Sequence, residues 1–413
     1  MLNLSAGDEP PEYKKYIDAL IKKLWDAGEA PETDPNLIRA YGKQLGDAII
    51  EGYGSKLADL AWDSPDYKTL VALQNNAWQF SAAKTSRQLR DMNNALIGPD
   101  GKIRSFNDFK IEAQNIAGQQ LNWLRTEYDS AIAGAQMAAK WQTIQETKDT
   151  FPLLEFDAVI DDRTSTICRP LDKVTLPVDD PFWDKYYPPN HFNCRSTVRQ
   201  LRSGKATPKD DIAYPEQIPD NFKFNVGKKG RAFPDDADYY KDMPPHLLNN
   251  ATLYMPEDEQ YIVKYEAEDG TQLQVNRKTD IEKGPDYDNL LTVGKVLADA
   301  GIIVDILPEI HANETELRNE LLPGVKGDKN PDLTIGGEYA EMKTPAEPIT
   351  SAAIQKRIAD AAKQADKVVI LLTGDYGHID LAAIAKERFK RIPNITSIIF
   401  VTNDGEYTEY NRD

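Results

Sequence analysis

With 413 residues, 49 Lys and Arg against 67 Asp and Glu, and a formal net charge of −18, the chain is long enough for several domains. It is too acidic for indiscriminate adhesion to nucleic acid or to an anionic membrane. It has no apolar run of about 18 residues to span a membrane, its first residues, MLNLSAGDEPPEYKKY, lack the apolar centre of a secretory signal, and two cysteines in this length fit an intracellular origin.

Residues 1–150 read as mainly helical. Pro11 starts a helix that runs to Trp25 and stops near Gly28, and Pro35 starts a second toward Gly52. Ser105-Phe-Asn-Asp-Phe opens a long third segment. In it Ala117, Leu121, Leu124, Tyr128, Ala131, Ala135 and Ala138 recur at spacings of three and four. That period predicts a helical seam, whose alanines admit a closely packed partner helix. The seam suits a helical bundle, or a docking surface for a second copy or another protein.

Residues 151–200 hold both cysteines, Cys168 and Cys194, and one of four histidines, His191. Three readings stand side by side. Cys168, His191 and Cys194 could bind zinc with Asp161 or Asp162 as a fourth ligand, the two thiols could pair, or both could be small buried apolar groups fastening a loop-rich α+β module.

The motif Asp161-x-Arg163-Thr164, Cys168, Pro188-Pro189, His191-x-x-Cys194-Arg195-Ser196, with Arg125-Thr126-Glu127 upstream, resembles that of phage Mu F-type head morphogenesis proteins. These are minor capsid components packed near the portal. The resemblance, over residues 100–200, implies a virion component inside the capsid, with portal and major capsid proteins as partners.

Residues 201–284 change character. Pro208, Pro215, Pro219, Pro234, Pro244, Pro245 and Pro256 interrupt any apolar period, which predicts a linker or an irregular wrap. Residues 261–275 read as a hairpin turning at Asp269-Gly270.

From 285 to 413 the pattern becomes α/β with a mixed sheet. A helix over 290–300 ends at Gly301, and strands follow over 302–307, 332–335 and 339–343, the last two joined by Gly336-Gly337. Helices over 351–365 and 381–389 alternate with strands over 368–373 and 398–402, which implies parallel crossovers. Glu341 and Lys343 sit two residues apart on one strand, hence on one face. If Asp332 faces them, two carboxylates and an ammonium converge, a set that suits Mg²⁺ or Mn²⁺ beside a phosphate. Glu309 is a candidate third carboxylate, with His311 nearby.

Pro331-Asp332 and Glu341-Met342-Lys343 resemble the PD-(D/E)xK nuclease core. KNPDLTIGGEYAEMKTP followed by KQADKVVILL also resembles the C-terminal tRNase domains of contact-dependent inhibition toxins of the CdiA type, over about residues 288–405. The resemblance implies cleavage of tRNA or another structured RNA, with Asp332, Glu341 and Lys343 on the motif, and a cognate immunity protein as a further partner. In a metal-free barnase-like variant, Lys343 with His311 or His378 would act as acid and base. From Asp286 onward there are 14 Lys and Arg against 22 Asp and Glu. The cations cluster, however. Lys356, Arg357, Lys363 and Lys367 lie in or beside one helix, and Lys386, Arg388, Lys390 and Arg391 in or beside the next. Each set is either a solvated helix face or a surface that follows phosphates.

The whole reads as a virion protein with a nuclease at its end, active in the host cytoplasm after delivery. The competing reading is a capsid protein whose α/β end is an inert interaction domain.

Overall fold

The structure, a computed structural model, describes residues 11–234, 237–325 and 327–412. It divides into two compact units that meet in sequence at Met255 and Pro256.

The first unit begins with α1 (Pro11–Ala27), α2 (Pro35–Tyr53), α3 (Pro65–Ala95) and α4 (Phe106–Thr147). Each of the last three starts on a residue that accepts an otherwise unpaired backbone N–H: Asp34 from Leu37, Ser64 from Tyr67 and Ser105 from Asp108. The alanine seam on α4 faces its own chain. Ala117, Leu124, Ala131, Ala135 and Ala138 are buried, whereas Leu121 and Tyr128 are only half-buried. A Cβ on Gly52 of α2 would lie 2.4 Å from the carbonyl oxygen of Ile132, so glycine permits that close helix approach. The bundle also buries an ion pair, with Lys84 Nζ 2.9 Å from Glu127 Oε2. Tyr239 donates to the same carboxylate at 2.8 Å.

A small antiparallel sheet follows, in the order β2-β1-β3, made of β1 (Leu153–Asp157), β2 (Thr175–Pro177) and β3 (Thr197–Leu201), with α5 (Phe182–Tyr186) before β3. The proline-rich stretch beyond it is a wrap. It carries α6 (Val226–Lys229) and α7 (Pro245–Asn250), and Phe222, Val226 and Phe233 enter the same apolar core as Tyr13, Leu45, Trp141 and Phe156. Asn76 of α3 fastens it by donating to Phe233 O at 3.1 Å and accepting from Phe233 N at 2.8 Å. One core therefore joins regions that the sequence pattern divides at residues 150 and 200.

The second unit comprises β4 (Tyr261–Glu266), β5 (Gln272–Asn276), α8 (Arg277–Glu282), α9 (Tyr287–Asp299), β6 (Val304–Ile306), α10 (Thr315–Leu321), β7 (Leu333–Ile335), β8 (Glu338–Lys343), α11 (Ser351–Ala361), β9 (Lys367–Leu372), α12 (Leu381–Arg391), β10 (Ser397–Thr402) and β11 (Tyr407–Asn411). Its eight-stranded mixed sheet runs β11-β10-β9-β8-β7-β6-β5-β4. β8, β9 and β10 are parallel, as are β5 and β6. The boundary expected at residue 285 thus falls earlier, because β5 pairs with β6 and brings the 261–275 hairpin into this sheet. Leu290, Val293 and Leu297 of α9 pack on one face with Met342 and Val369, and Ile354 and Ile358 of α11 with Ile384 of α12 pack on the other with Val368 and Phe400. No helix among the described residues is long and apolar enough to cross a membrane.

Candidate active site

The chemistry-bearing residues of the second unit meet where β7 starts and β8 ends. Gly336 and Gly337, with φ of 58° and 83°, close the tight turn between these strands in a conformation that side chains with a Cβ resist. Leu333 consequently pairs with Ala340, which sets Asp332 beside Glu341. Ala340 and Met342 point into the α9-side core, so strand alternation turns Glu341 and Lys343 to the other face. Asp332 Oδ2 accepts the Met342 N–H at 2.9 Å and lies 3.8 Å from Lys343 Nζ. Lys343 donates to Glu341 Oε1 and, at 3.1 Å, to the Met342 carbonyl.

Burial dominates the electrostatics. Glu341 is 3% exposed, and its Oε2 has no hydrogen-bond partner among the described residues. Burial, and next the Asp332 charge, push its carboxyl up to about 7. Burial also raises Asp332 above the usual carboxylate range, against the pull of Lys343. For Lys343 burial works downward, but Glu341 and Asp332 outweigh it and the ammonium is held above its ordinary value. The trio is short of positive charge, and the unpartnered Oε2 is a ready ligand position for a divalent cation.

Asp332 also lines a cleft of about 420 Å³ with Asp286, Glu309, Asp328, Glu282 and Tyr287, and no Lys or Arg is among the described residues lining it. Glu309 reaches it because Leu307 N donates to Asp332 O at 2.9 Å, joining the end of β6 to the start of β7. Asp286 escapes sequence reasoning. It precedes α9 where a capping residue is expected, yet its side chain makes no cap hydrogen bond, and its charge acts on both Asp332 and Lys343. The one signal for it is its place at the head of an amphipathic helix.

Several expected participants stand elsewhere. His311 is exposed, outside the cleft lining, and its Nδ1 accepts from Asn313 N at 3.2 Å within a turn. His378 is likewise exposed and outside the lining. Lys367 is tied to Glu338 at 2.9 Å with only 13% of its side chain exposed, and the largely buried Arg388 donates to Gln355 at 2.9 Å, so both cations serve the fold rather than a phosphate surface. Lys363 pairs at 2.7 Å with Asp360 on the surface, while Lys356, Lys386 and Lys390 stand exposed and Arg357 half-buried.

In the first unit the structure brings Cys168, His191 and Cys194 together, with one ligand atom from each within 4.8 Å of the others. Both cysteines are free thiols. Hydrogen bonds from Cys168 and then His191 draw the Cys194 thiol down to about 4 against its burial, and the same thiol contact pushes Cys168 up. Asp161 is not in the group. Its two oxygens take Arg195 at 2.8 and 2.6 Å, and this guanidinium holds its carboxyl well below the usual range. Asp162 is exposed and also stands apart.

Residues 82–199, which contain Glu127 and the Cys/His group, match the family described as Phage Mu protein F like protein. Residues 329–407, which contain Asp332, Glu341 and Lys343, match the Contact-dependent growth inhibition CdiA C-terminal domain. The chain joins a Mu F-like segment to a CdiA-like one. Among curated proteins it is similar to the putative capsid assembly protein F of Escherichia phage Mu, with 34% identity over 82 residues. That match takes in 20% of this chain and 19% of the relative, so the chain spans about a fifth of the relative's length. Among solved structures, a chain of the CdiA-CT/CdiI toxin and immunity complex from Burkholderia pseudomallei is 20% identical, covering 30% of this chain and 84% of that one at a TM-score of 0.21.

Proposed function

We propose that this chain is a phage minor head protein whose second unit is a metal-dependent endoribonuclease that cuts tRNA. The observation that carries the reading is the convergence of Asp332, Glu341 and Lys343 beside an acidic cleft. Asp332 and Glu341 would hold Mg²⁺ or Mn²⁺, with Asp286 and Glu309 as further carboxylates at the cleft. A cation bound there would polarise the scissile phosphate and acidify a bound water. The chain's own residues do the rest. Lys343, held by Glu341 and the Met342 carbonyl, is fixed to orient a nucleophile or to balance charge gathering on phosphate oxygens.

The cleft itself favours metal dependence. Asp286, Glu309, Asp328 and Asp332 repel a phosphodiester, so a polyanion enters only when divalent cations supply countercharge. The metal-free alternative requires a histidine beside Lys343, and the polar partners of Lys343 among the described residues are Glu341, Asp332 and the Met342 carbonyl, none of them a histidine. The Mu F-like segment supports residence in the capsid near the portal, with portal and major capsid proteins as partners. The CdiA-like segment supports action in a host cytoplasm and a cognate immunity protein. Exposed Lys356, Lys386 and Lys390 would touch phosphates away from the cleft.

Induced expression of the full chain and of residues 256–413, followed by RNA sequencing, tests this. Growth arrest with tRNA fragments, absent in Glu341→Ala, is expected. Normal growth with intact RNA in both would make the second unit a silent appendage. Fragmented DNA with intact RNA would reassign the substrate.

A further inference from the structure

We infer that Cys168, His191 and Cys194 form a zinc site that crosslinks the loops of the Mu F-like module, independent of the nuclease reading. Cys168 Sγ lies 3.7 Å from Cys194 Sγ and 3.3 Å from His191 Nε2. Zinc bonds of about 2.3 Å to sulfur and about 2.0 Å to nitrogen, at tetrahedral angles, put two sulfurs about 3.7 Å apart and a sulfur and a nitrogen about 3.5 Å apart. Both distances from Cys168 therefore match two edges of a zinc tetrahedron, and the third, between Cys194 and His191, is within 4.8 Å.

The ring orientation is a second observation. His191 Nδ1 lies 2.8 Å from the Phe192 carbonyl oxygen, which can only accept, so the proton sits on Nδ1 and the Nε2 lone pair faces the sulfurs. A backbone carbonyl on the distal nitrogen is the usual outer partner of a zinc-bound histidine. The local turn makes the third. Cys194 N donates to His191 O at 3.2 Å, and Asn193 adopts φ of 57°, so the chain doubles back and presents His191 and Cys194 together. Ser165 Oγ stands 2.8 Å from His191 Nε2 and accepts the Cys168 N–H at 3.1 Å, so its hydroxyl, or a water beside it, would supply the fourth ligand.

Two thiolates and an imidazole select zinc over the hard cations that suit the carboxylates of the second unit. The loops around these residues carry little regular structure: residues 158–168 and 187–196 contain no strand or helix, so a metal bridge between them supplies order that backbone pairing does not.

The test uses purified full-length protein, grown with zinc and dialysed, with metal measured by plasma mass spectrometry. One zinc per chain is expected in the wild type and in Glu341→Ala, and less than a tenth of that in Cys194→Ser. A strong zinc chelator should lower the wild type's melting temperature and speed reaction of both thiols with a thiol reagent. Cobalt substitution should give thiolate charge-transfer absorption, a readout that does not depend on a variant folding. Wild-type protein without zinc, with two thiols equally reactive before and after chelation, would overturn the site. So would a disulfide, seen as no free thiol after denaturation, or zinc retained in Cys194→Ser and lost in Glu341→Ala.

Discussion

The ammonium of Lys343 stands 3.8 Å from Asp332 and is hydrogen-bonded to Glu341, so one cation serves a buried carboxylate and a half-buried one. Replacing it by methionine keeps the stem and removes the charge. In the metal-free second unit, Lys343→Met should cost about 3 kcal/mol of stability at neutral pH, because it strands buried negative charge. It should also abolish RNA cleavage. Urea denaturation with and without Mg²⁺ checks this, and added cation should recover most of the lost stability without restoring cleavage.

The Glu341 carboxyl, raised to about 7, makes the metal-free unit less stable as pH rises. A carboxyl whose folded value exceeds its unfolded one stabilises fully below about pH 4, and that contribution is lost as pH climbs through 7. Asp332, raised in the same direction, adds to the trend, while the upward shift of Lys343 acts only above its own high range. The expected loss between pH 5 and 8 is on the order of 3 kcal/mol. Chemical denaturation across that range checks it: Glu341→Gln should flatten the dependence, and saturating Mg²⁺ should remove it.

Asp286 and Glu309 line the cleft, and among the described residues neither carboxylate makes a hydrogen bond or ion pair that holds the fold. Asp286→Asn should therefore change stability by less than about 0.5 kcal/mol. Cleavage or metal affinity should still fall about 10- to 100-fold, the usual effect of losing a supporting carboxylate. Unchanged cleavage kinetics in Asp286→Asn would remove this residue from the site.

In the bundle, Lys84 is fully buried against Glu127, with Gln120 and Tyr239 as further partners. Glu127→Ala should destabilise the first unit by about 3–5 kcal/mol, because an unpaired ammonium is left inside. Lys84→Met with Glu127→Leu should recover much of that loss. Thermal unfolding of the full chain, followed in the first unit's transition, reads both.

Much of the second unit was legible in local pattern. Strand period put Glu341 and Lys343 on one face, the glycine pair announced the turn, and Asp332 faced them as that turn requires. What escaped depends on contacts distant in sequence. β5 joins the sheet through a parallel pairing with β6, and Lys367 pairs with Glu338 of the adjacent β8 and Glu409 of β11, two strands away. Asp286 was not singled out, because the sequence pattern starts that helix at 290 and only the fold shows the Asp286 side chain at its head with no cap hydrogen bond. Helix α3 was not singled out, since Gln74, Asn76, Lys84, Thr85 and Gln88 are buried along it and blur the apolar period. The Cys/His spacing left zinc, disulfide and plain burial open, and only the fold brought three ligand atoms together while tying Asp161 to Arg195.

The most direct test of the central claim is cleavage of total tRNA by the purified chain, wild type against Asp332→Ala and Glu341→Ala, with chelator and with Mg²⁺ or Mn²⁺ restored. The account predicts fragments only from the wild type and only with the cation present. Equal cleavage by wild type and both variants, or full wild-type cleavage in chelator, would contradict it.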